Sequence, residues 1–170
     1  MRPSPAPILT ALALVLAPVP APAQETLASW DSYTSFVLSA CVLDTLGLRS
    51  KMMAGMHASM GAGMTEREDR DEMDYHDHPN GTVLQLSSDD TEVLCRLTIP
   101  ETALSPEDAR LLRDDLAEQL GYRAEGPVET SESGGDVTWS FRSGTGTVLT
   151  VGFATLPEGG VLITNRTVAE

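Results

Sequence analysis

Cysteine placement constrains this chain more than any other feature. The sequence holds two, Cys41 and Cys95. Cys41 lies among Trp30, Tyr33, Val37, Cys41 and Leu48, apolar positions that recur near helical spacing and are widened by Ala40 and Leu43. Cys95 lies in the alternating set Val93, Cys95, Leu97 and Ile99, the inward face of a strand. A Cys41–Cys95 disulfide would pin that helix to that sheet. In the chain-entropy account, closing so long a loop stabilises by about 4 kcal/mol.

The N-terminus points to a compartment where such a bond forms. Met1-Arg2-Pro3 is followed by an apolar run from Ile8 to Ala17 and by Pro18-Val19-Pro20-Ala21-Pro22-Ala23. Basic, then apolar, then small residues ending Ala-x-Ala is the pattern of a secretory signal, with cleavage expected between Ala23 and Gln24. The apolar run is too short to span a bilayer. Residues 1–23 are therefore read as a signal peptide and 24–170 as a single periplasmic or secreted domain, with no transmembrane anchor. An even cysteine pair in an oxidising compartment reads as a structural disulfide. Asn80-Gly81-Thr82 and Asn165-Arg166-Thr167 match the short glycosylation acceptor pattern.

The elements follow from periodicity. One helix is expected from Thr26 to about Ser50, ending near Gly47. A hairpin is expected over 82–99, with the turn at Ser87–Asp90. Ser105-Pro106-Glu107-Asp108 announces a second helix: Ser caps, Pro opens the first turn, Asp108 occupies the capping-box position, and Gly121 would close it. A short strand is expected after Tyr122. Further strands are expected over Asp136–Arg142, Val148–Ala154 and Val161–Val168, with turns at Gly144–Gly146 and Pro157–Gly160. The fold class is α+β: an antiparallel sheet of about five strands, two main helices on one face, one disulfide, and a polar insert over 51–80. A barrel is the other arrangement these strands allow.

Function is less written. Net charge is −14, which repels nucleic-acid phosphates and anionic lipids and favours cations and basic partners. No Gly-x-Ser-x-Gly, His-Glu-x-x-His, phosphate-binding loop or dinucleotide fingerprint occurs, so the expectation is a non-enzymatic protein.

Segment 51–80 is the exception in composition. Every methionine except the initiator lies there, with all 3 histidines. Met52, Met56, Met60 and Met64 are four apart, so a helix would stack them on one face, with Met53 and His57 beside them. His76 and His78 are two apart, on one side of an extended chain. Asp71, Glu72, Asp74 and Asp77 surround them. Thioethers suit Cu(I), and imidazoles suit Cu(II) and other divalent ions. The candidate metal ligands are thus Met52, Met53, Met56, His57, Met60, Met64, Met73, His76 and His78, with copper or another transition metal the expected ion. In composition the segment resembles the Met/His-rich tracts of exported copper-handling proteins; the resemblance does not extend to the domain. Two other readings stand beside it. One is a mobile surface insert without a metal role. The other is a Met-rich apolar surface that contacts another envelope protein.

Overall fold

The computed structural model describes residues 27–67 and 73–169. The expected signal segment 1–23 lies outside them, as do Asp71 and Glu72. Helix α1, Trp30–Phe36, runs on as a π-turn over Val37–Cys41, and helix α2, Leu48–Met56, runs on as a π-turn over His57–Gly61. Strands β1 Thr65–Arg67, β2 Asp74–Asp77, β3 Val83–Ser88 and β4 Glu92–Ile99 follow. Helix α3, Pro106–Arg123, then leads into β5 Glu129–Ser133, β6 Asp136–Arg142, β7 Val148–Thr155 and β8 Val161–Val168. Among the described residues these strands form one antiparallel sheet, ordered β1-β2-β3-β4-β8-β7-β6-β5. Each half of the chain supplies a four-strand meander, and the β4–β8 pairing joins them. No helix among the described residues is long and apolar enough to cross a membrane.

The class is the expected α+β, but the sheet has 8 strands rather than about five, and it is open rather than a barrel. The strands beyond those expected are β1 and β2, in the segment read as an insert; the short strand expected after Tyr122 is β5, which begins only at Glu129. β5 reads Glu-Thr-Ser-Glu-Ser and is exposed at every residue, so backbone pairing to β6 at the sheet edge is what holds it. β1 is likewise exposed throughout. Polar edge strands resist pairing with other chains, and the same polarity hides them from a search for apolar periodicity.

One face of the sheet is covered. Val93, Cys95, Leu97 and Ile99 of β4 pair across the seam with Thr167, Asn165, Ile163 and Val161 of β8, and all are buried. Leu84 and Leu86 of β3, with Val137, Trp139, Phe141, Leu149, Val151 and Phe153 of β6 and β7, extend that face. Tyr33, Phe36 and Val37 of the α1 segment and Leu112, Leu116 and Leu120 of α3 close over it. Each fully buried Leu or Ile contributes about 1.5–3 kcal/mol. Tyr33 keeps a polar end inside: its phenol meets the Thr82 hydroxyl at 2.8 Å and accepts from the Asn80 amide at 2.9 Å. Burial pushes this phenol above its ordinary pKa, against the pull of those two hydrogen bonds.

The helix expected from Thr26 to Ser50 is two helices. The first ends in the π-turn, where Val42 N–H donates to Val37 O at 2.8 Å. Residues 42–47 cross to α2, which starts after Gly47. Gly47 has φ of +70°, a left-handed conformation that breaks the first helix's periodicity and suits glycine. Leu48 therefore opens α2 instead of closing α1. At α3, the Ser105 hydroxyl accepts Asp108 N–H at 3.1 Å, as the capping pattern implies. Gly121 does not end that helix. It continues to Arg123, whose guanidinium donates to Val42 O at 3.1 Å, while Tyr122 donates to Glu118 at 3.0 Å.

The disulfide forms between Cys41 and Cys95, residues separated by 54 positions. Replacing both with Ala is expected to lower the unfolding free energy by about 4 kcal/mol. A urea titration of the double variant checks this; an unchanged midpoint would contradict it.

Candidate functional site

The segment 51–80 carries α2 with its π-turn and both β1 and β2. One side of α2 is built to approach the sheet. Ser50, Ala54, Ala58 and Ala62 recur every four residues and are all buried. Small side chains there let the helix backbone lie close to its neighbours. Lys51 adds an ion pair to Asp74 of β2 at 2.9 Å.

The opposite side of α2 is apolar and uncovered. Leu48 is 72% exposed, Met52 66%, Met56 51% and Met60 73%, again at four-residue intervals. An open cleft of about 380 Å³ lies along this row, lined by Leu48, Arg49, Met52, Met53 and Met56. The methionine stripe read from the sequence is thus three residues long at the surface and extends backward to Leu48. Leu48 and Arg49 were missed because the long first helix claimed that stretch. The signal that would have found Leu48 is the same four-residue interval, continued one turn before Met52.

The other sequence candidates go elsewhere. Met64 is buried at 4% exposure, so it serves as core filler instead of continuing the exposed stripe. Met53 is half-buried and packs against the core. Met73 is half-buried at the start of β2. His76 is buried on β2 against α2: a Cβ placed on Gly55 would lie 3.8 Å from its Cε1. His76 Nδ1 has no hydrogen-bond partner. The imidazole of His78 accepts Asn80 N–H at 3.2 Å, which ties it into the turn before β3.

Helix geometry separates the thioethers from these rings. Two residues along an α-helix turn through about 200°. Lys51 and Gly55 face β2, where Asp74 and His76 stand, so Met53 and His57 fall on the opposite flank. His57 and His76 are not brought together, and the exposed row lies between the two flanks. Among the described residues no group of three or more His, Cys, Asp and Glu side chains is arranged to hold a metal ion.

Acids gather where α2 begins. Gly47 N–H donates to Asp89 O at 2.8 Å, and Asp90 Oδ1 lies 3.1 Å from the position of a Cβ on Gly47. The Thr91 hydroxyl, joined by the N–H groups of Thr91 and Glu92, holds the Asp89 carboxyl below its ordinary pKa. Negative charge at a helix N-terminus also meets the positive end of the helix dipole favourably. Of the two glycosylation triplets, Asn165 is closed to a glycan because it is buried at 2% exposure. The amide of Asn80 donates to Leu27 O and to the Tyr33 phenol.

Comparison with protein-family models, with curated proteins and with solved structures finds no match to this chain.

The division between buried and exposed methionines has a direct consequence. Met64→Ala is expected to cost about 2–4 kcal/mol. Met52→Ala and Met60→Ala should each change stability by less than about 0.5 kcal/mol. Chemical denaturation of the three variants checks the contrast, and equal losses would contradict it.

Proposed function

We propose that this protein is an exported, non-enzymatic binding module that docks another protein of the envelope on the exposed row of α2. The observation that carries the reading is the row itself: Leu48, Met52, Met56 and Met60 lie in line on a helix whose other side is anchored by buried Ser50, Ala54, Ala58 and Ala62. Leaving apolar side chains in water forgoes about 25 cal/mol per Å². A contiguous uncovered row rather than scattered residues marks an interaction site. Methionine suits the task because its unbranched thioether adapts to the shape it meets. The cleft offers a seat for an apolar side chain of the partner. The disulfide fits an oxidising compartment, which is where the signal-like N-terminus would send the chain.

A second reading, copper binding, is favoured by one specific observation. Met52 and Met56 stand one helical turn apart and line the same cleft. Soft thioethers at that spacing suit Cu(I). Met60 would be the third donor, with His57 flanking them. Met64 and His76, both buried, would take no part.

Two substitution sets separate these readings. Met52→Glu with Met56→Glu should abolish brightening of the neutral apolar dye Nile red. Met→Leu at positions 52, 56 and 60 should preserve it. Undiminished brightening in the Glu variant would overturn the docking reading. Cu(I) uptake, measured by anaerobic competition with a chromogenic chelator, should vanish in the Leu variant if the copper reading holds. Retained uptake there would overturn the thioether assignment.

A further inference from the structure

Both ends of the α2 row are acidic. Asp89 and Asp90 are exposed beside Gly47, at the Leu48 end. Neither has an ion-pair partner among the described residues. Among the described residues Arg49 is the one cation lining the cleft, and these two carboxylates outnumber it. Beyond the other end, β1 packs near the His57–Gly61 π-turn and carries Glu66, which is exposed and has no ion-pair partner among the described residues. The basic neighbour there is already engaged: Arg67 pairs with Asp77 at 3.3 Å and stacks 4.7 Å from the Tyr75 ring. The chain as a whole carries −14. An apolar ridge bounded by exposed carboxylates on a strongly acidic protein selects for a partner of opposite pattern.

We propose that the partner presents a basic amphipathic helix, which lies along Leu48, Met52, Met56 and Met60 with cationic side chains beside Asp89 and Asp90. This inference rests on the docking reading and names the chemistry of its occupant. Helix is favoured over strand because a ridge of residues four apart packs into the matching groove of another helix. Anchors on one stripe of such a helix would enter the cleft in turn. A second copy of this chain is the less favourable occupant, because it would set the same acids against each other and bring −14 against −14.

The test uses the disulfide-bonded protein and two labelled synthetic helices of equal length. Both carry Leu on one face; the other face is Lys in one and Glu in the other. Fluorescence anisotropy should show the Leu/Lys helix binding at least about tenfold more tightly than the Leu/Glu helix at low salt, with the gap closing as salt rises. Glu66→Lys with Asp90→Lys should weaken the Leu/Lys helix about tenfold and strengthen the Leu/Glu helix. Met52→Glu with Met56→Glu should abolish binding of the Leu/Lys helix even though it adds negative charge. Equal affinity for the two helices would overturn the inference and leave the docking surface standing. Tighter Leu/Lys binding by the Glu variant would show attraction without the row and overturn both. Failure of both helices to bind, while Nile red still brightens, would overturn the helical partner alone. A dimer in sedimentation that Met56→Glu dissolves would make a second copy the occupant.

Discussion

The structure depends on the seam where β4 meets β8 beneath the end of α1. Cys95 and Asn165 are cross-strand neighbours there, and both reach the same residue above them. Cys95 does so through the disulfide to Cys41. Asn165 donates through Nδ2 to Cys41 O at 2.9 Å, and Thr167 donates to Leu43 O at 2.8 Å. These two hydrogen bonds satisfy carbonyls freed where the helix unwinds after its π-turn. A chain end left unpaired at that depth would cost about 1–3 kcal/mol per group. The seam thus fixes where the first helix stops, and so where residues 42–47 must turn and where α2 must begin.

That placement gives α2 its two unlike sides. Gly47 turns the chain with positive φ, its carbonyl accepts the Ser88 hydroxyl at 2.9 Å, and α2 starts against the β3–β4 turn. The Ser50, Ala54, Ala58, Ala62 side then faces the sheet and the Leu48, Met52, Met56, Met60 side faces water. One helix therefore serves both packing and exposure, with its acidic end supplied by the turn on which it rests. The same sidedness leaves His76 beneath α2, away from the exposed sulfurs.

Much of the fold was legible where burial imposes a period. Val93 to Ile99 alternate because one side meets the helices, and Leu112, Leu116 and Leu120 recur because one stripe of α3 meets the sheet. The illegible parts are those where no apolar period exists or two periods run together. β1 and β5 are polar on both sides, since backbone pairing at an edge needs no buried face. Leu48 fits the stripe of Trp30, Tyr33, Val37 and Cys41 as well as it fits the row of Met52, and only the left-handed Gly47 decides between them. Within the candidate site, the four-residue spacing of the methionines was visible, but spacing does not tell which of them a π-turn and a glycine will bury. Met64 follows Gly63, whose φ is +67°, and its N–H returns to Ala58 O at 2.8 Å, which carries the side chain into the core.

Helix α2 and its π-turn hold the methionines in fixed positions, some facing water, with Met64 just beyond them in the core. Peroxide footprinting of the folded protein, read by mass spectrometry, tests this most directly, because thioether oxidation follows exposure. The account predicts that Met52, Met56 and Met60 oxidise first, Met53 more slowly and Met64 last. Oxidation of Met64 at the rate of Met52 would contradict the account, because it would mean that no ordered helix presents the row.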